Sequence, residues 1–295
     1  MSRLSRNPAF PAIALAILTG LTAVPAQAET TKDRILSEKS VTIGIHNRVP
    51  WGYLDKDGKV AGLQPAIIRA ALAPLGVTEV KFVIGEFSTM IPGLLAGRFD
   101  MTAAGVGITP ARCKSVIFSE PDLTSGDGLL VAAGNPLNLH SFLDVKNNPK
   151  VRLAGARGSG NAAHAIQAGV PESQMQQFQD VESMVSALVA KRVDAVVMSA
   201  ATIIATMSDP NVKGIERADP FIPLKNAEGD DVAMVTAIAF RPDDTDLRDL
   251  YNEQLKKLKD NGELEKIILD TGFTKSNLPP NKTATQLCSA PEQPK

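Results

Sequence analysis

Aromatic residues, histidines and cysteines are all scarce in this 295-residue chain, and each scarcity removes a class of function. The three histidines, His46, His140 and His164, are scattered without metal-ligand spacing, so no metal is expected. Two cysteines are too few for a small disulfide scaffold, and neither has a histidine near it in sequence to form a nucleophilic pair. Charge of either sign is not in excess: 31 basic against 32 acidic residues leave a net charge of -1, which gives no electrostatic reason to expect nucleic acid or an anionic membrane as partner. Neither a phosphate-binding Walker loop nor a Gly-x-Ser-x-Gly nucleophile motif occurs, and no cofactor is expected. With only 4% aromatic residues, any aromatic side chain beside a turn carries weight.

What is present begins with an export signal. Arg3 and Arg6 precede a largely apolar run from Ala9 to Val24, and Ala26-Gln27-Ala28 has the small-residue pattern of a cleavage site. Residues 1–28 therefore read as a signal peptide. Pro11, Gly20 and Pro25 interrupt the run, which argues against a membrane anchor, and no cysteine near the cleavage point offers a lipid attachment. The expected product starts near Glu29 and is free in the periplasm. In that oxidising compartment Cys113 and Cys288 are expected to pair and to tether the polar tail beyond Asn277; two separate buried thiols are the alternative.

The body of the chain alternates strands and helices. Val41–Ile45, Val80–Ile84, Phe99–Ala104, Gly128–Ala133, Val151–Ala154, Val193–Met198 and Val232–Phe240 have strand composition. Helical spacing appears from Pro65 to Ala73, from a Ser88 cap to Gly97, and over 162–168, 182–190, 243–259 and 263–269. This order predicts an α/β fold with mainly parallel sheets.

Chemistry concentrates between Arg98 and Arg112. A strand breaks into Gly105, Gly107 and Thr109 before Pro110 opens a helical turn, and Arg112 stands one turn on. Glycines let a ligand approach the backbone, Thr109 can cap the turn, and the arginine fork suits a carboxylate. An ordinary strand-to-helix corner with a surface arginine is the alternative. A second candidate is Gly158-Ser159-Gly160-Asn161, which opens a helix whose free amides and dipole favour an anion. Taken alone it is a plain N-cap. The segments 95–105 and 189–199 echo one another, which would set Gly105 and Ser199 at equivalent strand ends facing one crevice.

The run FSTMIPGLLAGRFDMTAAGVGITPARCKSVIFSEP, residues 87–121, resembles the bacterial extracellular solute-binding proteins of family 3, the receptors of polar amino acid ABC importers. Within that family it looks most like the ectoine and hydroxyectoine binders. The resemblance implies a two-lobed periplasmic binding protein fold of type II, with two hinge strands and a cleft between lobes. Residues 29–132 and 231–295 would form lobe 1, and 133–230 lobe 2. It also implies a monomer that delivers a small carboxylate-bearing solute, an amino acid, ectoine or a related compatible solute, to an inner-membrane permease.

Arg112 would clamp the carboxylate, helped by amides around Gly107, Thr109 and Gly160, with Trp51 and Phe87 as walls and Ser199 and Asn161 as polar contacts. Trp51 as a core aromatic and Arg48 as a solvated side chain are the competing readings. Three positions depart from the relatives. Ser199 stands where amino acid binders of the family carry an aspartate for the ligand ammonium. Where ectoine binders have an acidic and an aromatic residue, this chain has Arg48 and Gly107. The same fold also hosts periplasmic cyclohexadienyl dehydratases, but only His46 stands where a general acid would be needed.

Overall fold

The β-branched run near the start of the domain becomes the central strand of the first sheet. The computed structural model describes residues 29–226 and 229–290, so the signal segment 1–28 lies outside the described residues. After helix α1 (Thr31–Glu38), strand β1 (Ser40–Ile45) is followed by a short hairpin, β2 (Tyr53–Leu54) and β3 (Val60–Ala61), turning at Asp57-Gly58. Parallel strands β4 (Glu79–Ile84) and β5 (Met101–Thr102) flank β1 on either side. Helix α2 (Leu63–Leu72) buries Leu63, Ile67, Ile68, Ala71 and Leu72. Each of the Leu and Ile side chains contributes about 1.5–3 kcal/mol on burial.

Helix α3 (Met90–Leu95) is not capped by Ser88. It continues from a 3-10 turn over Phe87–Thr89, whose Thr89 amide bonds to Glu86, and no side-chain cap forms. Helix α4 is the single turn Pro110–Cys113, and β6 (Ile117–Phe118) leads to the hinge.

Strand β7 (Leu123–Ala132) runs through both parts of the molecule. The second lobe adds α5 (Phe142–Asn147), β8 (Leu153–Ala156), α6 (Gly160–Gln167), β9 (Met175–Phe178), α7 (Val181–Val189), β10 (Ala195–Ser199), α8 (Ala200–Met207) and β11 (Ile215–Arg217). Its sheet has the order β11-β7-β10-β8-β9. The chain returns through β12 (Ala233–Thr236) and β13 (Ala239–Phe240), the latter paired with β6. Helices α9 (Thr245–Asp260) and α10 (Glu263–Asp270) then pack back on the first lobe, where Leu247, Tyr251 and Leu255 join its core.

The pairing of β7 moves the lobe boundary. Residues 123–126 pair with β12, whereas Asp127–Val131 pair with β10 and Leu130–Ala132 with β11. The expected division at 132/133 thus placed a stretch of the second sheet in lobe 1. Asp231 and Val232 also remain bonded within lobe 2, to Lys225 and Leu224. The crossings are 123–126 and 233–236. A continuous strand pattern conceals this, because its period reports the two faces of a strand and not which neighbour it pairs with.

Cys113 and Cys288 form a disulfide across 175 residues, joining α4 to a last short helix, α11 (Ala284–Cys288). Closing a loop of this length contributes about 2–4 kcal/mol. The tail that lacks periodicity is ordered by this bond and by a capping box between Thr283 and Gln286. No helix among the described residues is long and apolar enough to cross a membrane.

Candidate ligand site

Strand β5 ends at a position that only glycine fits. Gly105 has φ 66°, and a Cβ there would fall 2.5 Å from Cε3 of Trp51. Its absence lets the indole lie against the strand end. The Gly105 amide donates to Gln64 Oε1 at 2.7 Å, Gln64 Nε2 donates to Asp122 Oδ2 at 2.7 Å, and Thr236 Oγ1 donates to Asp122 Oδ1 at 2.6 Å. Gln64, Asp122 and Thr236 are fully buried. This network fastens the strand end, α2 and the return crossing together. Burial raises the Asp122 pKa, and the bonds from Thr236 and Gln64 pull it partly back.

A cavity opens above this floor, between the lobes. The first lobe contributes Arg48, Trp51, Phe87 and Gly105; the second contributes Ser159, Gly160, Asn161 and Ser199. All of these were singled out in the sequence. Ser125, Met234 and Thr236, which also line it, were not. They sit on the crossings, where nothing in the local pattern distinguishes a residue facing a cleft from one facing a core.

Arg112, Gly107 and Thr109 are not part of the cavity lining; Met234, which is, packs against Gly107. A Cβ on Gly107 would lie 1.8 Å from Met234 Cε, and one on Gly160 2.0 Å from Met234 Sδ. The thioether thus touches both glycines, one from each lobe. Thr109 caps α4 by accepting from the Arg112 amide. Arg112 Nη1 donates to the Gly107 carbonyl at 2.7 Å and Nη2 to the Gly158 carbonyl at 3.0 Å, across the cleft. Its Cζ lies 5.6 Å from the centroid of the Phe87 ring. Burial lowers its pKa to about 10, which leaves it charged at neutral pH. Among the described residues no carboxylate forms an ion pair with it.

His46 is not placed to give up a proton. Both ring nitrogens are buried without a hydrogen-bond partner among the described residues, and the ring meets Phe87 edge-on at 5.4 Å. Burial first, and then the charge of Arg48, hold its pKa well below the usual histidine value, so it is neutral. No group of His, Cys, Asp and Glu side chains among the described residues could hold a metal ion.

Residues 41–270 match the bacterial extracellular solute-binding proteins, family 3. The chain belongs to this family. It is 33% identical over 283 residues to a probable amino-acid ABC transporter periplasmic-binding protein, y4tE, of Sinorhizobium fredii, covering 94% of this chain and 92% of that one. Among solved structures it is similar to EhuB in complex with hydroxyectoine, with a TM-score of 0.78 and 32% identity over 89% of this chain and 99% of that one. It is also similar to the ancestral amino acid-binding protein AncCDT-1, a precursor of cyclohexadienyl dehydratase. There the TM-score is 0.71 and the identity 26%, over 82% of this chain and 100% of that one. Family members are extracellular or periplasmic, bind small solutes and work with ABC transporter permeases; this chain is a binding protein and not an enzyme.

In this binding protein the lobes are latched through one hydroxyl that the sequence did not reveal. Thr202 Oγ1 accepts from Arg48 Nε at 3.1 Å and from Trp51 Nε1 at 3.3 Å, and it lies 2.8 Å from Ser199 Oγ. A hydroxyl has two acceptor sites and one donor, so Thr202 is saturated when it donates to Ser199. Ser199 in turn caps α8 by accepting from the Thr202 amide, so both of its lone pairs are taken and its hydroxyl can meet a solute only as a donor. Trp51 is buried in the lobe 1 core and also belongs to the cavity lining.

The closed arrangement therefore depends on Thr202. Thr202→Val is expected to reduce solute affinity by about three- to tenfold through loss of about 1 kcal/mol of net hydrogen bonding. Small-angle scattering should show a larger open fraction, and an unchanged open fraction would remove Thr202 from the latch.

Asn161 also has a partner. Its Nδ2 donates to Asp127 Oδ1 at 2.6 Å, and His164 Nδ1 meets Asp127 Oδ2 at 2.8 Å. Asp127 lies opposite Ser199 in the sheet. It holds the first turn of α6 against the strand, a supporting role that residue spacing could not disclose.

Proposed function

We propose that this family 3 protein captures a small carboxylate-bearing solute in its interlobe cleft, with Arg112 as the clamp, and delivers it to an ABC permease. It would act as an exported monomer, freed of residues 1–28, with no part in nucleic-acid binding. The carrying observation is Arg112 itself. Its guanidinium is desolvated, bridges the two lobes through backbone carbonyls, and has no carboxylate partner among the described residues. A partly buried cation so placed favours an incoming anion. The amides opening α6 at Gly160 and Asn161 face the same cleft and add the favourable end of a helix dipole. Met234 must turn aside for a carboxylate to reach both, which an unbranched thioether does readily. An enzyme on the same fold would need a proton donor, and no Asp, Glu or His of the described residues lines the cavity.

The test is a thermal-shift comparison of small carboxylic acids with their primary amides. An acid at 100 times its dissociation constant adds about 2.7 kcal/mol of stability. The acids should raise the melting temperature and the matching amides should not. Equal shifts from acid and amide would reject Arg112 as a carboxylate clamp.

A further inference from the structure

We infer that the solute is a short dicarboxylate without an ammonium group, with one carboxylate on Arg112 and the other on Arg48. This rests on the reading of the cleft as a carboxylate receptor and narrows it.

Arg48 lines the cavity beside Phe87, the ring over which Arg112 lies. Both arginines thus have Phe87 as a neighbour, Arg112 stacked on its ring and Arg48 in the same cavity lining. A ring face of this kind suits the short methylene spacer of a diacid. Arg48 uses only Nε in a side-chain hydrogen bond, to Thr202. Its Nη1 and Nη2 have no hydrogen-bond partner among the described residues. That leaves the end of the fork, the part that grips a carboxylate through two parallel bonds, available.

The charges around Arg48 point the same way. Glu182 is the acidic residue that acts on it, but Glu182 is exposed on the first turn of α7 and forms no ion pair with it. Asp127 has both oxygens engaged by Asn161 and His164. His46 beside Arg48 is neutral. Ser199, at the strand end facing the cleft, has both lone pairs occupied by Thr202 and can only donate, which suits an anion and not an ammonium. An ammonium entering this cavity would meet two positive charges and no carboxylate in its lining, Glu182 lying outside it. A second anionic group instead pairs directly with Arg48, which Glu182 compensates only at a distance.

The experiment is calorimetry on the exported form of the protein with succinate, glutarate and 2-oxoglutarate, against the glutarate monoamide, L-glutamate, L-arginine and ectoine. The best diacid is expected to bind about ten- to a hundredfold more tightly than the monoamide, the effect of one charged hydrogen-bonded pair, and more tightly than L-glutamate. Arg48→Met should collapse the diacid-to-monoamide ratio to within about threefold, with Arg48→Lys in between. Because Arg48 also bonds Thr202, the solute series on the unaltered protein decides the matter even if a variant folds poorly. Tightest binding of L-glutamate, L-arginine or ectoine, or a ratio untouched by Arg48→Met, overturns the dicarboxylate inference and leaves the Arg112 clamp standing. If no acid of any class binds, the carboxylate reading of the cleft falls, and this inference falls with it.

Discussion

Arg112→Ala is expected to weaken binding of the recognised acid by about 2–4 kcal/mol, thirty- to nearly a thousandfold, as for truncation of one partner of a buried charge pair. The side chain does three things at once. It supplies the positive charge, it spans the cleft from the Gly107 carbonyl to the Gly158 carbonyl, and it packs over Phe87. Arg112→Lys keeps the first and loses the second, because a single ammonium cannot reproduce the planar fork. Its affinity should fall between those of the unaltered protein and the alanine variant. Calorimetry with one acid across the three proteins checks the order, and an alanine variant that binds normally would mean the carboxylate is held elsewhere.

Asp122→Ala should be the most damaging single change to the fold, lowering stability by about 2–5 kcal/mol. It strands the Gln64 amide nitrogen and the Thr236 hydroxyl in a fully buried site, and each orphaned group costs about 1–3 kcal/mol. The damage should extend to the cleft, since Gln64 also holds the Gly105 amide. Chemical denaturation gives the magnitude, and a loss below 1 kcal/mol would show that the network is not structural.

The effect should also vary with pH. Burial raises the folded-state pKa of Asp122 above its unfolded value, so its contribution is complete below the unfolded pKa and declines as pH rises through the folded one. The gap between the unaltered protein and Asp122→Ala should therefore be widest in acid and narrow toward neutral pH. A gap that widens with pH would contradict burial as the dominant influence on this carboxylate.

Much of the cleft was legible in the sequence because its signals are local. Gly105 breaks a strand, Thr109 and Ser159 cap helices, and Trp51 lies in a turn; each feature is decided by residues within a few positions. The strand ends then converge because open α/β sheets place their crevices there. What escaped notice depends on partners far away. Ser125, Met234 and Thr236 face the cleft only because β7 and β12 pair at the crossing, and Asp127 supports it only because α6 folds back onto β7. The family resemblance led correctly to the fold, but it could not say that Ser199 would cap a helix.

Taken by itself, the sequence determined an α/β chain resembling family 3, the positions of most of its central strands and long helices, and an expectation that its two cysteines pair. The strands and helices follow from hydrophobic period and capping residues, which act over short range, and the family from the resemblance carried by residues 87–121. Only the tertiary structure decided where the strand crossings lie, that Met234 packs against glycines of both lobes, and that one threonine latches Arg48 and Trp51 across sequence separations of 154 and 151 residues. Those outcomes turn on which donor reaches which lone pair once the lobes have packed, and no local pattern in a chain encodes that choice.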